Sequence, residues 1–278
     1  MSFIDIDKAY DYAKYIRKTS LDMALKAGKK GCHIGGSFSC IEILAVLYSN
    51  YLKYDIQNPY DVNRDRFFAS KAHCILSHFS VLARCGFIGE NDLDSFHENN
   101  GLLAGHPINV GINLEFSGGS LGMGLSLAVG TALSAKRKNK KYKSYVLLGD
   151  GECNEGAIWE GFMSASQYKL DNLIAIIDYN NMQFDGTNDE IMSLFNLEMK
   201  LKAFGCETVI VDGHKIEELI KAFQIPHREK ALVIIAKTIK ARGIKTLENR
   251  PESHFAQLTQ EDYDIAMEDL LRGLYDRV

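Results

Sequence analysis

The sequence predicts an α/β fold: a doubly wound, largely parallel sheet with helices on both faces. Two runs carry that prediction, "KSYVLLGD" (143–150) and "NLIAIIDY" (172–179). Both are short, continuously apolar and contain β-branched residues, as parallel strands buried on both faces require. The third observation is the alternation around them. Helical "NEGAIWEGFMSASQYKL" (154–170) separates the two runs, and "CETVIVDGH" (206–214), a helix at about 215–223 and "ALVIIAKT" (231–238) follow.

The remaining elements follow in chain order. Residues 5–28 carry helical periodicity that stops near "GKKG" (28–31). Ser39 and Glu42 form an S-x-x-E capping box before "ILAVLYSNYL", which predicts a helix over about 39–51. "GSLGMGLSLAVGTALSAKRK" (119–138) is small and apolar at helical spacing and ends in positive charge suited to a helix C-terminus. Thr259 and Asp262 box the start of a last helix, about 260–275. The first hundred residues read as mostly helix and loop.

Composition narrows the classes. The chain has 278 residues, 46% hydrophobic, enough for a sizeable core: one large α/β domain or two small ones. A net charge of −4 argues against binding a phosphate backbone, and "KRKNKKYK" (136–143) reads as a solvated helix end and loop. Six cysteines lie scattered without C-x-x-C or zinc spacing, which fits reduced thiols in the cytoplasm. The charged N-terminus is no signal peptide, and no apolar stretch is long enough to span a membrane.

The chemistry centres on Asp150, set between Gly149 and Gly151 where the first apolar run ends. Ligands of such sheets bind beyond the carboxyl ends of the strands. Asn180, in "IIDYNNMQFDG" (176–186), ends the next run thirty residues later, about one βαβ unit. A carboxylate, an amide oxygen and a backbone carbonyl after Asn180 are hard ligands, suited to Mg²⁺ or Ca²⁺. One carboxylate leaves such a cation positively charged and incomplete, which points to a diphosphate-bearing cofactor. Gly149 and Gly151 then permit a tight turn and close backbone approach, and the helix starting near Glu155 aims its amides at the anion.

"GDGECNEGAIWE" (149–160) followed by "YKLDNLIAIIDYNNMQFDG" (168–186) resembles the thiamine diphosphate motif of the transketolase family. The W-E and K-L-D-N-L elements match that family's version rather than that of the 2-oxo acid dehydrogenases. "GCHIGGSFSCIEILAVLY" (31–48), "DRFFASKAHCILSHFSVLARCGF" (65–87), "GHPINVGINLEFSGGSLGMGLSLAVG" (105–130) and "IKARGIKTLENRPESHF" (239–255) resemble further family segments. The resemblance spans roughly 10–255. "GSLGMG" (119–124), by contrast, has the wrong glycine order for a dinucleotide fingerprint, and no G-K-[ST] loop exists.

The resemblance implies roles for particular residues. Asp150, Asn180 and the Met182 carbonyl would hold the metal, with Gly151 on the diphosphate. Gly119, Ser120 and Leu121 would line the aminopyrimidine pocket. His33, His73, His106 and His254 match active-site histidines, with His73 and His254 beside the cofactor as well. Neutral imidazoles there suit a reaction that deprotonates a hydroxyl and protonates a carbonyl. Glu155 matches an acidic position near the cofactor and the subunit interface; its alternative is a first-turn glutamate favoured by the helix dipole. His78, His97, His214 and His227 match nothing. Ile34, Ala72 and Met123 depart from the usual proline, glycine and glutamine, leaving a nonstandard sugar open.

The family also uses a second, pyrimidine-binding module, whose glutamate activates the cofactor; no such module follows here. The expectation is the cofactor-binding subunit of a split transketolase. It would move a two-carbon ketol unit between sugars or sugar phosphates, in an α₂β₂ assembly with a pyrimidine-module chain. Segment 119–135 and the "NEGAIWEGF" helix would meet partner subunits; the alternative for both is ordinary core. The alternatives are the α subunit of a 2-oxo acid dehydrogenase-type enzyme and a noncatalytic thiamine diphosphate-binding subunit.

Overall fold

A computed structural model describes residues 4–108 and 114–275. Five parallel strands, β1 (Arg66–Ala69), β2 (Ser144–Gly149), β3 (Leu173–Tyr179), β4 (Glu207–Asp212) and β5 (Leu232–Lys237), lie in the spatial order β1-β2-β3-β5-β4. The helices are α1 (Ile6–Ala27), α2 (Ile34–Phe38), α3 (Ile41–Val46), α4 (Ile75–Cys85), α5 (Glu90–Leu93) and α6 (Met123–Arg137). After β2 come α7 (Gly156–Gln167), α8 (Asn188–Ile191), α9 (Leu197–Ala203), α10 (Ile216–Phe223) and α11 (Gln260–Leu271).

The continuous apolar runs are explained by two cores, one on each face of the sheet. Tyr145, Leu147, Ile174, Ile176, Leu232 and Ile234 point to the face covered by α1, α3, α4 and α10. The intervening Val146, Leu148, Ala175, Ile177, Val233 and Ile235 point to the face covered by α6, α7 and α9. Period-2 alternation is present, but both sets are buried, so polarity does not reveal it. Each fully buried Leu or Ile in these layers contributes roughly 1.5–3 kcal/mol. The α/β, doubly wound expectation holds.

The N-terminal hundred residues are mostly helix and loop, as expected, and add β1, a four-residue edge strand too short to show a period. Three local readings are corrected. The Ser39–Glu42 capping box does not form: α3 starts at Ile41 after Cys40, which makes no side-chain cap. Ser39 Oγ instead donates to Asp178, and buried Glu42 pairs with Arg17 and His214, since a buried charge needs a countercharge more than an exposed cap does. The helix reaches 51 only by a π-type turn over Leu47–Tyr51. At the other end, Thr259 does cap α11, accepting from the Asp262 amide, and that helix stops at Leu271. All six cysteines are unpaired.

Candidate active site

The carboxyl ends of β2 and β3 bring Asp150 and Asn180 to one rim, as their spacing predicts. Asp150 is 2% exposed. Its Oδ1 accepts from the Gly151 amide at 2.8 Å, and its Oδ2 from the Asn181 amide at 2.5 Å and Asn188 Nδ2 at 2.9 Å. Asn180 Oδ1 accepts from the Met182 amide at 3.0 Å, so the turn after β3 folds back toward the carboxylate. Asp150, Asn180, Met182 and Gly151 line one cavity of about 300 Å³. Burial, with the Asp178 charge behind it, pushes the Asp150 carboxyl up to about 6. Neither flanking glycine has positive φ. A Cβ at Gly151 would come 3.0 Å from Gln183 Cγ, so a larger residue there would have to push that side chain aside.

Two lysines missed in the sequence enter the same cavity. Lys71, two residues past β1, donates to Asp178 and, at 3.0 Å, to Ser39 Oγ. Burial works against its charge, but the Asp178 carboxylate more than offsets this and holds it protonated. Lys240, three residues past β5, donates to the Gln183 carbonyl at 2.6 Å. Burial and the neighbouring Lys71 bring it down to about 8. A lysine just beyond a buried strand at the carboxyl rim was the available signal for both.

Lys240 is itself held from a distance. Arg17 Nη2 pairs with Glu42, Arg17 Nη1 donates to the Arg242 carbonyl at 2.6 Å, and His214 Nδ1 meets Glu42 Oε2 at 2.9 Å. His214 Nε2 accepts from the Ile239 amide at 2.8 Å, so Nδ1 carries the proton and donates to Glu42. Burial favours a neutral Glu42, but Arg17 and His214 hold its carboxyl down at about 2. Segment 239–242 is thereby pinned on both sides of Lys240.

Glu152, also missed, ties the end of β2 to Ser70 and to the turn before α6. Its Oε2 accepts from the Gly149 amide at 3.0 Å, and its Oε1 from the Gly122 amide at 2.8 Å and from Ser70 Oγ. Ser70 Oγ accepts in turn from the Gly124 amide at 3.0 Å. Gly122 has φ 81°, and a Cβ on Gly124 would lie 2.4 Å from Ser70 Cβ, so both positions require glycine. This clamp sets Leu121 in the cavity lining. Gly119 lies beside His106, with Cβ space 3.7 Å from His106 Cδ2, whereas Ser120 is exposed. Glu155 is exposed at the N-cap of α7 and makes no side-chain cap bond.

The four histidines singled out converge. His33 lies 4.7 Å from His73, 5.0 Å from His106 and 5.6 Å from His254 between ring centroids, and His73 lies 4.8 Å from His254. A backbone bridge between Cys32 and Ala256 brings the first and last histidine loops together. Burial lowers His33 and His254 to about 4 and His73 to about 3, with neighbouring imidazoles or lysines adding to it, so all three are neutral at pH 7. The other four serve the fold. His78 meets Tyr48, His97 stacks on Phe96, His214 ties Glu42, and His227 spans two carbonyls.

Two lysines, the hard oxygens of Asp150 and Asn180, and the imidazoles of His73 and His254 thus line one cavity. Residues 8–271 match the family described as transketolase, thiamine diphosphate binding domain, and the chain belongs to that family. It is 38% identical to an apulose-4-phosphate transketolase subunit of Phocaeicola vulgatus, covering 91% of this chain and 90% of that one. It is also 38% identical to the 6-deoxy-6-sulfo-D-fructose transketolase subunit SqwG of a Clostridium species, covering 93% and 94%. Human transketolase is 37% identical over 96% of this chain, which spans 42% of that protein. The crystal structure of Campylobacter jejuni transketolase superposes with a TM-score of 0.86 at 31% identity, covering 97% of this chain and 43% of that one.

The residues fit thiamine diphosphate. Lys71 and Lys240 supply positive charge to a cavity whose Asp150 and Asn180 offer hard oxygen, and buried Gln183 Nε2 has no partner of its own.

Proposed function

We propose that this chain is the cofactor-binding subunit of a two-chain transketolase, moving a two-carbon ketol unit from a ketose to an aldose. The observation that carries the reading is the clustering of His33, His73, His106 and His254, of which His73 and His254 line the cavity that holds Asp150 and Asn180. Asp150, Asn180 and the Met182 carbonyl would hold Mg²⁺, with Ca²⁺ the other hard cation the set admits. Lys71, Lys240 and the Gly151 backbone would receive the diphosphate. Gly119, Ser120 and Leu121 would face the aminopyrimidine.

Bound thiamine diphosphate supplies the electron sink for carbon–carbon cleavage. This chain's residues orient the sugar and move protons. His33, His73 and His254 remain neutral at pH 7, so a ring nitrogen can take a proton from a donor hydroxyl and return it to an acceptor's carbonyl oxygen. The buried, partnerless Nδ1 of His33 is free to bond a sugar hydroxyl.

Residues 1–278 serve as one diphosphate-binding domain, and a second polypeptide supplies the pyrimidine-binding module. Supporting this, relatives named as transketolase subunits are matched over 90–97% of their length, human transketolase over 42%. Met123 and Leu127 of α6 and Met163 of α7 are 40–57% exposed, and this face would meet partner subunits in an α₂β₂ assembly. Glu155 stands on it. Unpaired cysteines fit the cytoplasm, and among the described residues no helix is long and apolar enough to cross a membrane. The transketolase relatives favour this reading over a 2-oxo acid dehydrogenase subunit.

The test is kinetic. In the assembled enzyme, His33→Ala and His106→Ala should each lower kcat/KM at least about 100-fold, the range of general acid–base catalysis. Thiamine diphosphate affinity should stay within about threefold, about 0.6 kcal/mol. Loss of cofactor binding in both variants would refute this division of labour.

A further inference from the structure

We propose that His33, His73 and His106 form a second metal site, taking Zn²⁺ in preference to Mg²⁺, beside the cavity that His73 lines. One ligand nitrogen from each residue lies within 4.8 Å of the other two. Zinc–nitrogen bonds of about 2.0–2.1 Å place tetrahedral ligands about 3.3 Å apart, so the widest pair must close by about 1.5 Å. His106 is the exposed member of the three, and rotation of its side chain is the cheapest route to that closure.

His33 is already arranged as a ligand. Its Nδ1 is buried and has no hydrogen-bond partner, so that nitrogen is available to a metal. Burial keeps His33 and His73 neutral, so no proton need leave when the metal enters.

Donor chemistry separates this site from the rim. Three imidazoles suit zinc and have no claim on Mg²⁺, whereas Asp150 and Asn180 offer only oxygen. Three protein ligands leave a fourth position for water. Zinc here takes the lone pairs that sugar hydroxyls would meet and blocks sugar entry; this consequence, unlike the site itself, rests on the function proposed above.

The experiment is a calorimetric titration of Zn²⁺ into the full, metal-stripped chain, with Mg²⁺ in excess. One zinc should bind per chain, at least about tenfold more weakly in His33→Ala and in His106→Ala. Because His106 is exposed, its variant keeps the test valid should His33→Ala fail to fold. Affinity should be unchanged in His227→Ala and Asp150→Ala. Co²⁺ should give the intense visible bands of a four-coordinate ion with the unsubstituted chain and not with His106→Ala. Equal affinity across the histidine variants, or loss of binding in Asp150→Ala, would overturn the site. In the assembled enzyme, inhibition should be relieved by excess sugar and not by excess thiamine diphosphate. Zinc that binds the histidines without competing against sugar would overturn the blocking role alone. An assembled enzyme with no ketol transfer would count against the proposed function and leave zinc binding intact.

Discussion

Asp150→Ala is expected to abolish magnesium-dependent thiamine diphosphate binding while the chain stays folded. Two carboxylates lie close at this end of the sheet, and their charges are not equivalent. Asp178 is neutralised by Lys71, with Ser39 and Thr238 also donating to it. Asp150 receives only backbone and amide donors, so its charge remains for a cation. Removing an outer-sphere partner of a metal typically costs 10–100-fold in affinity, so loss of the one charged ligand should cost at least about 100-fold. Asp150→Asn keeps the hydrogen-bond acceptor and removes the charge, and should lose the cofactor similarly without lowering the metal-free Tm. Calorimetry on the assembled complex in saturating Mg²⁺ measures this; unchanged affinity in either variant would remove Asp150 from the site.

The largest stability effect should come from Asp178→Ala. Asp178 is fully buried between β3 and the helices above it, and Lys71 is 6% exposed. Truncating the acid leaves the ammonium with Ser39 Oγ and strips Thr238 Oγ1 of its acceptor. Breaking a buried ion pair from one side costs about 3–5 kcal/mol. For a chain of this size that lowers Tm by roughly 10 °C. The double variant Asp178→Ala with Lys71→Met should recover much of the loss, because no uncompensated charge remains. A single variant melting within about two degrees of the parent would mean the pair contributes little, less than about 1 kcal/mol.

What the sequence disclosed and what it hid have physical causes. Strands β2, β3 and β5 were legible because burial on both faces makes a strand apolar throughout. Asp150 and Asn180 were legible as a pair because a crossover connection has a characteristic length. β1 was hidden by its brevity and lies inside a segment that resembles a histidine loop. The Ser39–Glu42 pattern was a true local signal overridden by burial, since Arg17 and His214 approach from 25 and 172 residues away. Lys71 with Asp178, and Glu152 with Gly122, are likewise long-range pairs that no local period reports. The histidine cluster was reachable through family resemblance alone, because its members come from four separate loops.

The central claim is that the cofactor lies at an interface and that this chain supplies only its diphosphate half. The direct test mixes the purified chain with a pyrimidine-module transketolase subunit, in Mg²⁺ and thiamine diphosphate, and follows ketol transfer against subunit ratio. The chain alone should show no transfer, and activity should rise on adding the partner to an optimum near one to one. Robust ketol transfer by this chain alone, at a purity that excludes a contaminating partner, would contradict the account.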